Sequence, residues 1–244
     1  MTGVKEAVTS FGAQRVAVIG VGIMGSAICS RLIECGHRVM VFDLDAAKVA
    51  ALVGQGALAA ESAAVATANS DFVITSLNSA AIVRAAVFGA GGVAEAADGT
   101  KLLIDMSSID PPSSRDFAQA LLEQKGMAWV DAPLSGGAPK ALTGQLTVMA
   151  GGHADAVARA RAVMNSLCAN YTHMGPSGAG QTTKLVNQLL CAVAFQAVAE
   201  AVRLAEAGGV DAAQLGKALA GGRADSQILQ EFGPKMAARD CTPT

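Results

Sequence analysis

The sequence is poor in aromatic and charged side chains. Aromatic residues make up 4% of the 244 positions, with one Trp and one Tyr, and charged residues make up 16%. These are too few rings for the stacking platforms that bind single-stranded nucleic acid. The formal net charge is −2 and no basic run is present, which argues against a phosphate-backbone partner. We therefore expect no nucleic-acid partner.

The chain also lacks paired cysteines and an apolar leader. Its five cysteines are odd in number and include no Cys-x-x-Cys pair, so we expect buried thiols in a reducing compartment and no metal site. The leader MTGVKEAVTSFGAQ has no apolar core and predicts no signal peptide. Asn187, Gln188 and Glu200 interrupt the longest apolar stretch, which argues against a membrane span. We predict a cytoplasmic protein with no membrane partner.

Hydrophobic residues are abundant, at 52% of the chain, and predict a large core. Short apolar runs rich in β-branched residues alternate with alanine-rich segments of helical length. This alternation is typical of a parallel sheet covered by helices on both faces. The predicted strands are 15–20, 37–43, 71–77, 101–107, 127–133 and 146–152, and two of the predicted helices are 46–60 and 113–127.

Beyond about residue 175 the remaining pattern is helical. We predict an α/β fold, with a doubly wound Rossmann-type dinucleotide-binding domain over 12–175. A long interdomain helix then begins an incomplete all-α domain over 176–244. The fragments after this helix are too short to cover its apolar surface. We therefore expect it to pack on a second copy in a homo-oligomer, a dimer or tetramer, or on further residues.

A glycine-rich loop follows the first predicted strand, and a helix and a strand ending at Asp43 come after it. In the spacing Gly-x-Gly-x-x-Gly, the first glycine allows a tight turn and the second lets a pyrophosphate approach the backbone. The third lets helix and strand pack closely. The N–H groups that open the helix can then bind phosphate. The loop residues predicted to hold a dinucleotide are Gly20, Val21, Gly22, Ile23, Met24 and Gly25.

Asp43 indicates which dinucleotide the loop holds. A carboxylate at the end of the second strand accepts hydrogen bonds from the ribose hydroxyls of NAD and repels the 2′-phosphate of NADP. The neighbouring Leu44 supplies no cation for that phosphate. The alternative is that Asp43 caps the following helix, a role that Asp45 could share. We predict NAD as the cofactor, in preference to NADP.

The long apolar helix opens with three polar side chains. Lys184, Asn187 and Gln188 lie three and four residues apart, so they share one helix face. Carbonyl reduction needs a group that moves one proton besides a hydride carrier. An apolar pocket lowers the pKa of a lysine toward neutrality, and the two amides can hold the lysine or a substrate hydroxyl in line. The structural alternative is a lysine whose ammonium reaches water from a helix end.

A second candidate site follows the fifth predicted strand, in the stretch DAPLSGG at 131–137. Pro133 ends strand pairing. Ser135, Gly136 and Gly137 then form a turn whose N–H groups and hydroxyl can bind a carboxylate. A simple loop without a ligand fits the same residues equally well.

Four phrases, in order, resemble the β-hydroxyacid dehydrogenases: VIGVGIMGSAI, IDMSSIDP, DAPLSGGAPKALTGQLTVMAGG and GAGQTTKLVNQ. The Asp-Met-Ser-Ser phrase, the long DAPLSGGAPKALTGQL match and the Asn-Gln pair are most similar to the tartronate semialdehyde (2-hydroxy-3-oxopropionate) reductase branch. The resemblance implies hydride transfer between NAD(H) and a small β-hydroxy acid or semialdehyde, first of all tartronate semialdehyde to glycerate. The alternatives are 3-hydroxyisobutyrate, a four-carbon acid such as threonate and, more distantly, a non-catalytic interaction module.

The resemblance also implies roles for individual residues. Lys184 is the lysine of the family phrase Gly-x-Gly-x-x-x-Lys-x-x-Asn and would be catalytic. The implied carboxylate site is Ser135, Gly136 and Gly137, and the implied nicotinamide end of the cofactor site is Leu77, Asn78 and Ser108. Asn78 stands where the family commonly has Pro. The family also carries a second lysine in a later Lys-Asp phrase, so the sequence resembles a C-terminally truncated member.

Overall fold

The computed structural model describes residues 12–242. The segment 1–11, most of the leader for which no signal peptide is predicted, lies outside the described residues. The chain divides into two compact units, the first ending at Lys184 and the second beginning at Leu185. The sequence places its domain boundary earlier, after residue 175.

The first unit contains a nine-stranded sheet. Its strands are β1 (Arg15–Ile19), β2 (Arg38–Phe42), β3 (Leu58–Ala59), β4 (Phe72–Thr75), β5 (Leu102–Asp105), β6 (Ala128–Asp131), β7 (Leu134–Ser135), β8 (Leu146–Gly151) and β9 (Cys168–Gly175). The order across the sheet is β3-β2-β1-β4-β5-β6-β8-β7, and β9 pairs with β8. The chain therefore builds outward from β1 to β3 and then returns to β4 on the other side. This reversal beside β1 is the switch point of a doubly wound fold, where ligands bind at the carboxyl ends of the strands.

Helices cover both faces of this sheet. They are α1 (Ile23–Glu34), α2 (Ala46–Val53), α3 (Ala63–Ala68), α4 (Ala80–Phe88), α5 (Pro111–Lys125), α6 (Gly137–Leu142) and α7 (Ala154–Leu167). Helix α8 (Ala179–Ala207) begins in the first unit and continues into the second. Strands β1, β4 and β5 are buried and apolar almost throughout, because neither face meets water. The predicted α/β fold is confirmed.

Two of the differences from the prediction have a plain physical reason. The predicted helix 46–60 ends at Val53, because Gly54 and Gly56 favour a turn, and β3 follows. Strand β8 runs antiparallel to β6 and β7, whereas the sequence predicts a parallel sheet. The connection from β7 to β8 contains only the short α6, and a parallel crossover needs about a dozen residues or more.

The second unit is entirely helical in its described residues. Besides α8 it contains a single 3₁₀ turn at Ala212–Gln214, α9 (Leu215–Leu219) and α10 (Gln227–Ala237). The ring of Phe195 packs edge-on against Phe232, with centroids 4.8 Å apart. Large apolar side chains are exposed along α8 at Leu185, Val186, Leu189, Leu190, Val193 and Leu204. By length and composition alone, α8 could cross a membrane, and it is the one such helix among the described residues.

Candidate active site

The glycine loop joins β1 to α1, as predicted. Gly20 has a φ of +88°, and a Cβ there would lie 2.5 Å from Leu77 Cδ2. A Cβ on Gly25 would overlap the carbonyl group of Gly20. Above Gly22, in contrast, a Cβ would meet nothing within 4 Å. Two of the glycines therefore allow tight packing, and Gly22 leaves the backbone open to a ligand.

The first turn of α1 can receive an anion. Gly22 is its N-cap residue, and no side chain of the described residues caps it. The first N–H groups of a helix have no partner within the helix, and they carry its partial positive charge. Ile23 and Met24 supply such groups beside the open backbone of Gly22. A diphosphate fits this place.

Asp43 holds the loop from the end of β2. Its Oδ2 accepts the N–H of Val21 at 2.7 Å, and its Oδ1 accepts the N–H of Asp45 at 2.9 Å. The residue that caps α2 is Asp45, whose side chain accepts the N–H groups of Ala47 and Lys48. The alternative role of Asp43 as the helix cap is therefore wrong.

A cavity of about 480 Å³ opens beside the loop. Gly20, Asp43 and Leu77 line it, together with Leu44 and Glu61. No basic side chain occurs among its described lining residues. A concave, largely apolar site with a few polar groups fits the nucleoside part of a dinucleotide. The residues present thus fit NAD(P), and the two carboxylates disfavour a 2′-phosphate.

The three residues predicted for the nicotinamide end follow β4 and β5, which are neighbours in the sheet. Leu77 packs over Gly20, and its N–H donates to the hydroxyl of Ser107 at 3.0 Å. Asn78 and Ser108 are exposed at the same ends of these strands. The structure therefore gathers them at the carboxyl edge of the sheet, and their contact with a cofactor stays a prediction.

Lys184 reaches the predicted carboxylate turn. Its Nζ donates to the carbonyl oxygen of Leu134 at 2.8 Å, and the next residue is Ser135. Leu134 and Ser135 form β7, which pairs with Val148 and Thr147 of β8. Because β7 is fixed by this pairing, the half-buried lysine meets an ordered part of the sheet edge.

The turn after Ser135 differs from a simple loop. It leads directly into α6, which the sequence does not predict. The stem of Lys140 covers Gly136, since a Cβ on Gly136 would lie 2.7 Å from Lys140 Cδ. A cation that the sequence analysis does not single out therefore extends from α6 beside the turn. Gly137 opens α6 and is exposed.

Asn187 and Gln188 belong to the second unit. The side-chain amide of Asn187 donates to Gln188 Oε1 at 3.0 Å, and Gln188 is exposed. Their place on the same helix as Lys184 is confirmed by the continuous α8. Their contact with a substrate stays a prediction.

Two buried acids lie at the ends of β5 and β6, where Asp105 and Asp131 are register partners. Burial raises the pKa of Asp105 to about 6, against the hydrogen bonds from Ser107 and Thr75. Burial also raises the pKa of Asp131, against the N–H groups that it accepts. The Oδ2 atom of Asp105 is one of three buried side-chain polar atoms that lack a partner in the described part of the chain. No role for these acids is predicted from the sequence, although each ends an apolar buried strand.

The start of α8 contacts the Asp131 carboxylate and contains two glycines of the GAGQTTK phrase that fit tightly against their neighbours. Its Oδ1 accepts the N–H of Gly178 at 2.8 Å, and its Oδ2 accepts the N–H of Gln181 at 3.0 Å. Gly178 has a φ of +85°, which favours glycine. A Cβ on Gly180 would overlap the Met149 carbonyl oxygen and lie 2.6 Å from the Asp131 carbonyl oxygen. Helix α8 therefore begins directly against the end of β6.

The described residues contain no group of three or more His, Cys, Asp or Glu side chains that could hold a metal. All five cysteines are free. A doubly wound sheet, a glycine loop open to a diphosphate and a lysine at the carboxyl edge of the sheet define a dinucleotide-dependent oxidoreductase.

Comparison with known proteins identifies the family. Residues 15–175 match the family model described as the NAD binding domain of 6-phosphogluconate dehydrogenase. Residues 178–244 match the model described as the NAD-binding domain of NADP-dependent 3-hydroxyisobutyrate dehydrogenase. The chain belongs to the β-hydroxyacid dehydrogenase family. Enzymes of this family are NAD(P)-dependent and act on CH–OH groups.

Individual relatives cover nearly the whole chain. The 3-hydroxyisobutyrate dehydrogenase of Pseudomonas aeruginosa is 36% identical over 90% of this chain and 73% of its own length. The 2-hydroxy-3-oxopropionate reductase of Escherichia coli is 34% identical over 94% of this chain and 78% of its own. The solved 3-hydroxyisobutyrate dehydrogenase of Mycobacterium tuberculosis with L-serine has a TM-score of 0.85 and 31% identity, over 95% of this chain and 81% of that one. The predicted family and enzyme class are confirmed, and so is NAD(P) as the type of cofactor. The preference for NAD stays a prediction.

Proposed function

We propose that this protein transfers a hydride between NAD(H) and a small β-hydroxy acid, and that it reduces tartronate semialdehyde to glycerate. The observation that carries the proposal is the 2.8 Å bond from Lys184 Nζ to the Leu134 carbonyl oxygen. This bond brings an ammonium group next to Ser135, the first residue of the proposed carboxylate site. A proton donor and a carboxylate anchor thus stand side by side at the carboxyl edge of a dinucleotide-binding sheet.

Each group at the site has its own role in the proposed reaction. Ser135, with the N–H groups of Gly136 and Gly137, binds the substrate carboxylate and orients the carbonyl group. Lys184 donates a proton to the aldehyde oxygen as it becomes an alkoxide, and takes the proton back in the direction of alcohol oxidation. Bound NAD(H) supplies or accepts the hydride. Asn187 and Gln188 hold the lysine or the substrate hydroxyl in line.

The preference for NAD over NADP rests on the charges around the cofactor cavity. Asp43 and Glu61 both line it, with no cation among its described lining residues. A ribose 2′-phosphate there would meet two carboxylates without a counter-charge. NAD has ribose hydroxyls instead, and these can donate hydrogen bonds to a carboxylate.

The Asp-Met-Ser-Ser and DAPLSGGAPKALTGQL phrases support tartronate semialdehyde. 3-Hydroxyisobutyrate is the second candidate, because the relative named for it is as similar to this chain as the reductase is. We also propose a cytoplasmic homo-oligomer, which is supported by five free cysteines and by the exposed apolar side chains of α8.

Steady-state kinetics with NADH or NAD tests the substrate assignment. Tartronate semialdehyde is compared with 3-hydroxyisobutyrate and threonate under the same conditions. We expect the largest kcat/KM for tartronate semialdehyde with NADH. A larger value for either of the other acids moves the assignment to that acid. If NADH binds to folded protein and none of the three acids turns over, the assignment to these acids is wrong and the non-catalytic alternative gains support.

A further inference from the structure

The side chain of Gln181 joins α8 to the loop after β5. Gln181 is 1% exposed, three residues before Lys184 in the first unit. Its Nε2 donates to the carbonyl oxygen of Ser107 at 2.8 Å, and its Oε1 accepts the N–H of Ile109 at 3.3 Å. The amide therefore uses both of its polar ends on the loop that carries Ser108.

The backbone of the same residue is held from another strand. The Gln181 N–H donates to Asp131 Oδ2, and the Gly178 N–H donates to Asp131 Oδ1. A carboxylate accepts both bonds from fixed directions, so it sets the height and rotation of the first turn of α8. Gly180 has no side chain that could separate this turn from the strand, and Gly178 has none that could meet Arg115 of α5.

Ser107 extends the network toward the cofactor site. Its hydroxyl accepts the N–H of Leu77, and its own N–H donates to Asp105 Oδ1 at 3.1 Å. Asp105 Oδ1 also accepts the Thr75 hydroxyl at 2.9 Å. One buried chain of hydrogen bonds thus connects the ends of β4, β5 and β6 with the start of α8.

We propose that Asp131 and Gln181 are positioning residues, which fix the ammonium group of Lys184 relative to the loop at the nicotinamide end of the cofactor site. The inference rests on the function proposed above. It adds the two residues that align the Lys184 ammonium group with the nicotinamide end of the cofactor site. Lys184 follows Gln181 by one helical turn, so a rotation or shift of this turn moves the ammonium away from Leu134 and Ser135. A misplacement of about 1 Å in a proton-transfer geometry lowers a rate by about a hundredfold.

Gln181→Met tests the side-chain bonds, since Met has a similar length and cannot replace either bond. We expect kcat to fall by about tenfold or more, while the KM for NADH changes by less than about threefold. Tyr171→Phe is the matched control. It removes a buried hydroxyl that donates to the Val157 carbonyl oxygen at 3.1 Å, away from the site. A comparable loss of Tm in both variants, with kcat reduced only in Gln181→Met, supports positioning.

Gln181→Glu adds a readout that a purely structural role would not move. A protonated Glu can donate to Ser107 and accept from Ile109, whereas its carboxylate cannot donate. The charged groups around this turn are Asp131, which accepts the Gln181 N–H, its register partner Asp105, Arg115 beside Gly178, and Lys184 on the next turn. Burial and the two acids raise the pKa of the introduced carboxyl. We expect the ratio of its kcat to that of the natural protein to rise from about pH 8 to about pH 6, and the Gln181→Met ratio to stay flat.

Asp131→Asn places an amide donor against one of two N–H donors, so we expect it to reduce stability strongly. The Gln181 variants therefore provide the test of the positioning role. If Gln181→Met keeps the natural kcat while Lys184→Ala loses activity, the proposed function stands and the positioning role is wrong. If Lys184→Ala stays active, the acid role proposed for Lys184 is wrong, and the positioning role fails with it. A parallel loss in the Tyr171→Phe control, or a flat Gln181→Glu ratio, also overturns the positioning role.

Discussion

The side-chain nitrogen of Lys184 lies 2.8 Å from the main-chain oxygen of Leu134. A carbonyl oxygen can only accept, so the lysine acts as a donor toward the strand that carries Ser135. A substrate oxygen that arrives beside Leu134 can take the same proton. The contact therefore defines the position of the proposed acid and the direction in which it donates.

Removal of the ammonium group tests this role. A positioned general acid contributes about 10²–10⁴ in rate, or about 3–5 kcal/mol of barrier. We expect Lys184→Ala to lower kcat by that order and to leave NADH affinity nearly unchanged, because the glycine loop and Asp43 hold the cofactor. Lys184→Arg should not restore activity, since a guanidinium does not release its proton near neutral pH. Single-turnover kinetics and NADH fluorescence titration measure the two effects, and Lys125→Ala, an exposed lysine on α5, is the control.

If Lys184→Ala keeps more than about a tenth of the natural kcat when chemistry limits the rate, another group moves the proton. His173 would then be tested next. Its Nε2 lies 2.9 Å from the carbonyl oxygens of both Gly152 and Gly175. To act as an acid, this ring would have to give up those two acceptors.

The sequence predicts those strands whose burial is visible as a run of apolar residues. Strands such as β1 and β4 are apolar because both faces of the sheet are covered. In β9, by contrast, only Tyr171 is fully buried, so the strand has no apolar period to detect. The two-residue strands β3 and β7 are too short to show any period. The positions of these two strands are set by pairing with residues that are distant in the sequence. A short stretch of sequence therefore does not reveal them.

In the candidate site, too, some features are predictable from a short stretch of sequence and others depend on distant residues. The glycine triplet and Asp43 are predictable, because one strand-loop-helix-strand unit contains all of them. The reason for Gly178 and Gly180 is not local. A Cβ on Gly178 would meet Arg115, and a Cβ on Gly180 would overlap the main-chain oxygens of Met149 and Asp131. A charged residue at the end of an apolar strand is the one signal that could have marked Asp131 and Asp105 for attention.

Asp43 should set the cofactor preference. Asp43→Ala removes the carboxylate from the ribose end of the cavity, and with it the repulsion of a 2′-phosphate. We expect a higher KM for NADH and a smaller discrimination against NADPH, measured as the ratio of the two kcat/KM values. Asp45→Ala is the control, because it removes the cap of α2 and an exposed ion pair with Lys48 but leaves the Asp43 carboxylate in place. A natural protein that already prefers NADPH severalfold would disprove the assignment to NAD.

Asp105 should make the folded state less stable as the pH rises. Burial raises its pKa in the folded state to about 6, above its ordinary value of 3.8. The folded state therefore holds this proton more tightly, and stability falls as the pH rises from about 4 through about 6. Asp105→Asn removes the titration. We expect its Tm relative to the natural protein to rise over this interval and to remain highest above about pH 7, as measured by thermal denaturation at several pH values.

An exposed acid provides the opposite control for Asp105. Hydrogen bonds from Thr100 lower the pKa of Asp98, so its contribution to stability is present above its ordinary pKa and is lost as the pH falls. Asp98→Asn should therefore show no gain at high pH. An equal loss of Tm for Asp105→Asn at every pH would mean that its hydrogen bonds, and not its charge, determine the outcome.

The exposed apolar side chains of α8 should be covered by a second copy of the chain. Leu189 and Leu190 are 64% and 65% exposed, with other large apolar residues along the same helix. Contiguous apolar surface of this kind marks a contact with protein or lipid. Lys184, Asn187 and Glu200 interrupt the helix with polar groups that lipid disfavours, so we expect protein. Light scattering at micromolar concentration should give a dimer or tetramer, and Leu189→Glu should give a monomer.

Leu122→Glu provides the matched control, because Leu122 on α5 is 55% exposed and should leave the assembly intact. A monodisperse natural monomer would contradict the prediction, as would dissociation by both substitutions alike. Since α8 is also long enough to cross a membrane, flotation with neutral phosphatidylcholine vesicles completes the test. Protein that stays with the vesicles and loses this binding in Leu189→Glu would assign the helix to lipid. Protein that remains in solution as an oligomer assigns it to the second copy, because the same apolar surface cannot contact both.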